Sequence, residues 1–293
     1  MLFWRLFLLP LLGGFLLWAA EPAPDELREQ AVSAWRDARK DPAKKEEAVA
    51  LISKAIAASP KDSRLFHVRA QMRMLLRDGK GALNDLDEAV RLDPEIATLR
   101  QERAALLFKA GKIEAACADF DKANELAPAL VPQNWQRGIA LYYAGRYADG
   151  RQQFETHKSA NPEDVENAAW HYLCVAKTDG VEAARKLLIE VSRDSRVPMA
   201  EIQRLFAGKG TEDKVFAAAK AGEPAPPELK EREFYAHLYV GLFHEAAGDS
   251  VKAREHILKA ASLAIPGNYM GDVARVHAVL LQLPKSESSP KQP

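Results

Sequence analysis

The sequence predicts an all-α protein: an α-α superhelix, or solenoid, of stacked helical hairpins closed by a capping C-terminal helix. Three observations predict it. Pro60, Pro94, Pro128 and Pro162 are each 34 residues from the next, and a spacing held three times running marks an internal repeat. Small residues recur in register, with Ala70, Ala104 and Gly138 in one column and Ala82, Ala116 and Gly150 in another. Alanine and leucine dominate, and β-branched residues seldom alternate with polar ones, a composition that favours helix over strand.

The elements follow in order along the 293 residues. Residues 1–20 (MLFWRLFLLPLLGGFLLWAA) carry Arg5 as their one charge. They are expected to be a secretory signal peptide or an N-terminal anchor retained at the membrane. Pro10, Gly13 and Gly14 weaken the apolar run, which is shorter than the ~20 residues that cross a bilayer. No cysteine stands near residue 20, so lipid attachment there is excluded. The repeat array is expected over residues 21–162. It opens with a degenerate hairpin, Leu27 to Pro60, whose longer turn reads RKDPAKKEE, and three regular repeats follow. In these, small side chains let paired helices approach closely, and Leu86, Phe120 and Phe154 fill the space between hairpins. Gly111 and Gly145 end first helices in a left-handed backbone, and each proline stops a second helix. His157 departs from the pattern, standing in the column of Ala89 and Ala123, and puts tight packing of that turn in doubt.

Residues 163–222 form an irregular helical section, with helices expected over Asn167–Lys177, Val181–Arg193, Met199–Ala207 and Glu212–Ala221. A proline-rich joint, GEPAPPEL, leads into residues 223–283, a final repeat in which Gly241, Gly248, Ala253 and Ala260 return to register. Its last helix, Met270 to Leu283, covers the end of the stack, as solenoids require. Residues 284–293 (PKSESSPKQP) are expected to be disordered. Cys117 and Cys174 lie within helical patterns and read as small buried side chains.

The chain is neutral overall, with 41 basic and 41 acidic residues. It offers no long-range attraction to phosphate backbones, and nucleic acid is not an expected partner. Motifs for chemistry are missing. HEAAG from His244 has Gly248 where a zinc-protease helix needs its second histidine, and AGKGT from Ala207 has Gly210 where a phosphate loop needs Ser or Thr. No GxSxG elbow occurs. His237, His244 and His256 are close enough in register to share a face, but packing or solvent contact is their ordinary reading. No catalytic residue, cofactor or metal is expected.

The columns quoted above resemble the tetratricopeptide repeat. The resemblance implies that the first helix of each hairpin lines a concave face and that particular inward positions contact ligands. Those positions here are His67, Gln71 and Met74; Gln101, Ala105 and Phe108; and Trp135, Ile139 and Tyr142. The lysines and asparagines with which the chaperone-binding subset clamps a carboxylate are absent from them. The wall is apolar and aromatic at Phe108, Trp135 and Tyr142, which suits anchoring of hydrophobic side chains or, equally, packing between hairpins. Arg69, Arg103 and Arg137 are expected to bridge hairpins.

A narrower resemblance rests on the order of WHYL at Trp170, ARKLL at Ala184, IQRLFAG at Ile202 and FYAHLYVGLFHEAAGDSVKA at Phe234. This succession is similar to the bacterial envelope lipoprotein family known as new lipoprotein I, though without its lipidated cysteine. It implies a homodimeric adaptor bringing cell-wall hydrolases to a protease. The expectation is therefore an exported, non-catalytic scaffold of the periplasm or cell envelope that binds a protein or peptide in its groove. Membrane association would come through the N-terminal segment. Besides that adaptor, the other alternative is a hydrolase with a cryptic site in residues 163–222.

Overall fold

The structure, a computed structural model, describes residues 22–38 and 43–282. Residues 1–20, expected to be a signal or anchor, residues 39–42, and residues 284–293, expected to be disordered, lie outside the described residues. The helices are α1 (Pro24–Asp37), α2 (Ala43–Ala58), α3 (Ser63–Leu75), α4 (Gly79–Leu92), α5 (Ala97–Lys109) and α6 (Ile113–Leu126). A 3-10 turn (Pro128–Gln133) leads to α7 (Trp135–Tyr143), α8 (Tyr147–His157), α9 (Val165–Asp179) and α10 (Val181–Lys186). Then come α11 (Met199–Phe206), α12 (Glu212–Lys220), α13 (Pro226–Ala246), α14 (Ser250–Leu263) and α15 (Tyr269–Leu280). They form an all-α superhelix whose main packing partners are successive helices: α1 with α2, α3 with α4, α5 with α6, α7 with α8 and α13 with α14.

Local chemistry starts and stops these helices. Asp62 and Asp164 cap α3 and α9 by accepting from the backbone N–H of Arg64 and Glu166, each at 3.0 Å. Asn268 caps α15 through the N–H groups of Met270 and Gly271. Such caps satisfy donors that have no partner inside the helix. Gly111 and Gly145 turn between helices at φ +75° and +74°, and Arg77, one repeat earlier in the same column, is forced to +62°. Within the hairpins Ala70, Ala82, Ala104 and Ala116 are fully buried, and Leu86, Phe120 and Phe154 fill the layer beside them. At Gly138 a methyl group would stand only 2.6 Å from the Phe154 ring, so hydrogen is the largest substituent that this contact admits without movement.

A polar seam runs through the apolar layers. Arg69 donates to Asp85 at 2.7 and 3.0 Å and to the Ser53 hydroxyl at 3.1 Å. Arg103 donates to Asp119 at 2.6 and 2.8 Å and to Asp87 at 3.2 Å. Arg137 donates to Asp121 at 2.7 Å and to the Gln153 carbonyl at 3.0 Å. Each arginine thus reaches sixteen residues back, into the preceding hairpin, and sixteen forward, into its own. Asp85, Asp119 and Gln153 are buried. The expectation that these arginines bridge hairpins is met by geometry.

Three expectations change. The helix from Val181 stops at Lys186 instead of Arg193; beyond it Glu163 accepts from the N–H of Ser192 and Arg193 at 2.9 and 2.8 Å, and Gln203 donates to the Ile189 carbonyl at 2.9 Å. The proline-rich joint is partly helical, since Pro226 and Pro227 start α13, where a missing N–H costs nothing. His157 does not loosen its turn. The ring is buried, and its Nδ1–H donates to the Pro132 carbonyl at 2.7 Å, so the 3-10 turn fits around it. Cys117 and Cys174 are buried free thiols.

The closing helix does more than cover α14. Lys109 Nζ of α5 pairs with Asp272 Oδ2 at 3.0 Å, and the Tyr143 hydroxyl of α7 meets His277 Nδ1 at 3.0 Å. The superhelix has therefore curled until its last helix lies against helices near its middle.

Two stability measurements follow. Arg77→Gly relieves a left-handed backbone, and the urea midpoint is expected to rise by the equivalent of ~1 kcal/mol; an unchanged or lower midpoint would show that Arg77 is unstrained. Asp119→Ala strands the Arg103 and Arg100 guanidiniums, both of which donate to that carboxylate. It is expected to cost about 3–5 kcal/mol, whereas Arg100→Met, Arg103→Met and Asp119→Leu together should cost much less.

Candidate functional site

The inward positions of the early repeats fall into two groups. His67 Nε2 lies 3.0 Å from Glu102 Oε2, and Gln71 donates to Glu102 Oε1 at 3.3 Å. With half-buried Met74 and Gln101 nearby in the wall, these residues make a polar, partly accessible stretch along α3 and α5. The later positions do not form an open groove. Phe108, Ile139 and Tyr142 are buried. Tyr269 of α15 stacks on Phe108, with ring centroids 5.8 Å apart and an interplanar angle of 19°. Its ring also meets Trp135 nearly edge-on at 5.1 Å and 85°. The chain thus lays its own tyrosine between two of the expected anchors. Phe108 and Tyr142 are core residues here, and Trp135, half-buried, is the aromatic position that keeps accessible surface.

Tyr142 is held by rings from three directions, Tyr143, Tyr147 and Trp170, with centroids 5.4–5.5 Å away. Its hydroxyl donates to Glu245 Oε1 at 3.1 Å, and burial, then that carboxylate, pushes the phenol well above its ordinary range. Glu245 is a hub. Lys177 of α9 donates to Oε1 at 3.1 Å, and His277 Nε2 of α15 lies 3.0 Å from Oε2. The sequence register locates this residue too: the offset that aligns Gly241 with Gly138 aligns Glu245 with Tyr142.

Beside Trp135 the inner face opens into a cleft of about 390 Å³, within the roughly 300–1,000 Å³ of ligand pockets. Five aromatic residues, Trp135, Phe154, Trp170, Tyr235 and Tyr269, line it together with Ile139 and Asn167. Its polar side is Asp164, Glu166 and Arg196. Arg196 Nη2 pairs with Asp164 and Asp194 at 2.7 and 2.6 Å, and Nη1 with Glu166. Burial pushes the Glu166 carboxyl up, against the pull of Arg196 and of the Tyr239 hydroxyl, which donates to it at 2.7 Å. Asp164 and Glu166 against one guanidinium leave the wall acidic. Two fully buried wall residues also carry a polar atom without a partner: Trp170 Nε1–H, a donor, and Asn167 Oδ1, an acceptor.

Of the residues expected from the sequence, the cleft gathers Trp135 and Ile139; His67, Gln71, Met74, Gln101, Phe108 and Tyr142 lie outside its lining. Asp164, Glu166, Arg196, Tyr235 and Tyr269 come from outside the regular repeats. Arg196 had no signal at all, because it precedes Pro198 in a segment without periodicity.

No protein-family profile matches the chain, and no curated protein matches it in sequence. Solved structures are similar to it in fold. A tetratricopeptide repeat protein from Parabacteroides merdae shares 15% identity over 88% of this chain and 99% of that one, with a TM-score of 0.56. MamA shares 16% identity over 55% and 88%, with a TM-score of 0.49. The pilF protein of Pseudomonas aeruginosa shares 15% over 87% and 99%, with a TM-score of 0.46. At these identities the first likeness shows the fold, the tetratricopeptide-type superhelix, and the other two add no weight to it.

The Glu245 hub has a pH signature. Burial alone would raise its carboxyl, but His277 and Lys177 outweigh burial and hold it at about 2, below its ordinary 4.5. A depressed carboxylate contributes stability above its unfolded value and loses it as pH falls through the folded one. Between roughly pH 4.5 and 2 the contacts of α15 with α7 and α9 through Glu245 should therefore weaken. In acid titrations followed by tyrosine and tryptophan fluorescence, Glu245→Gln is expected to lack this component; identical profiles for both proteins would remove Glu245 from that role.

Proposed function

We propose that this protein is a non-catalytic scaffold that captures a segment of a partner protein on the inner face of its superhelix. The observation that carries this reading is the aromatic, acidic cleft. Trp135 and Tyr235 line it, aromatic rings attract cations, and the surplus of carboxylates around Arg196 adds to that attraction. The segment favoured therefore carries lysine or arginine. A rigid wall loses little entropy on capture, so a few such contacts suffice for useful affinity.

The compartment follows from the sequence reading. Residues 1–20 would carry the chain into the periplasm or cell envelope as a cleaved signal or a retained anchor. The order of motifs shared with the envelope lipoproteins supports an adaptor role there, bringing cell-wall hydrolases to a protease as a homodimer.

Fluorescence polarisation with labelled nine-residue peptides that differ only in a central Lys, Glu or Ala tests the reading. The Lys peptide is expected to bind tightest, and Trp135→Ala to weaken it by about 2 kcal/mol, roughly thirtyfold. Equal affinity for the three peptides, or for the variant, would sink it.

A further inference from the structure

Outside the cleft, α12, α13 and α14 bring Glu212, His244 and His256 to one point. Glu212 Oε2 lies 3.0 Å from His244 Nε2, and Oε1 lies 3.1 Å from His256 Nε2. One ligand atom from each of the three residues falls within 4.8 Å of the others. A tetrahedral ion with bonds of ~2.1 Å spaces its ligands by roughly 3.4 Å, so small side-chain shifts bring the three onto one ion. Both rings are buried or nearly so, and they lie almost parallel, 13° apart, with centroids separated by 5.9 Å.

What surrounds the rings points to a ligand set more than to ordinary packing. A metal-bound imidazole uses one nitrogen for the ion and presents the other N–H to an acceptor, which fixes its orientation. Here His256 Nδ1 lies 2.9 Å from His237 Nδ1, and His244 Nδ1 faces Asp249 Oδ2 at 3.9 Å. A neutral imidazole offers one ring nitrogen as an acceptor, and His237 presents its Nδ1 to His256. Phe216 packs against His237 and His256, and Phe243 against His244, which gives the cluster an apolar backing. Without an ion the same atoms form a hydrogen-bonded set in which each Nε2–H donates to Glu212. With an ion each imidazole takes its Nδ1–H tautomer, and His237 or Asp249 receives that proton in a hydrogen bond. Lys252 Nζ, 3.4 Å from Glu212 Oε2, is half-exposed and free to turn into solvent.

We propose that Glu212, His244 and His256 form a binding site for a divalent transition ion of the zinc, cobalt or nickel class, with His237 and Asp249 orienting the two imidazoles. Two imidazoles and one carboxylate suit these ions and not magnesium or calcium, which take oxygen ligands. Three protein ligands leave a fourth position for water. The ion joins the irregular section, through α12, to the final repeat, through α13 and α14.

The test uses the full chain without an affinity tag. It is stripped with chelator and titrated with cobalt, read by the visible absorption of four-coordinate Co²⁺, and with zinc, read by calorimetry. One ion per chain is expected, with a higher melting midpoint in zinc and no response to magnesium. His244→Ala should abolish the cobalt bands and the midpoint shift. Glu212→Gln, a half-exposed change in the first turn of α12, should weaken uptake at least tenfold while leaving the helical circular dichroism of the stripped protein unchanged. Absence of the cobalt bands in the unaltered chain, or uptake that persists in both variants, would overturn the proposal.

Discussion

One arginine in each regular hairpin holds the stack together. Arg69, Arg103 and Arg137 stand between a partner sixteen residues behind and another sixteen ahead, so each ties its own hairpin to the preceding one. A buried guanidinium left unpaired is costly, whereas apolar layers can slide or rotate at little cost. The arginine seam therefore sets the angle between successive hairpins, and tiny side chains at Ala104, Gly138 and their equivalents set the distance. The third rung differs: Gln153 replaces the aspartate, and the same glutamine donates to the Val131 carbonyl at 2.8 Å. The change of partner coincides with the 3-10 turn, where the regular connection gives way.

Angle and distance, repeated, accumulate into curvature. That is why α15, remote in sequence, arrives against α5 and α7. Four helices then meet at Glu245, with Tyr142 of α7, Lys177 of α9 and His277 of α15 around it. The carboxylate lies where two of the regular repeats present an aromatic ring, Phe108 and Tyr142, and the first presents Met74. The final repeat has kept the backbone pattern and changed the side chain from a packing element to an electrostatic one. The inner face is consequently built twice, once by the early repeats and once by the returning end of the chain.

Much of the fold was legible because it is local and repeated. The prolines, small-residue columns and left-handed turns report on contacts within one hairpin or between neighbours, and 34 residues of sequence contain them. The segment expected to be helical up to Arg193 is held instead from a distance: the amides of Ser192 and Arg193 are claimed by Glu163, some thirty residues away, which no window of propensity includes. The cleft was illegible on the same grounds. Asp164, Arg196, Tyr235 and Tyr269 meet only after the superhelix has curled, and curvature is a sum over the whole chain. Trp135 was found because its position in the repeat fixes the direction of its side chain. Phe108 and Tyr142 sit in equally inward positions, but helices from the end of the chain cover them.

Tyr269 between Phe108 and Trp135 makes the protein a rival for its own inner wall. A guest that reaches for Phe108 meets a wall already filled. Contact with Phe108 would require α15 to be displaced, and the apparent affinity of such a guest would fall in proportion to how seldom that happened. Whatever loosens that helix would therefore tighten capture at Phe108 without touching a single atom of the guest.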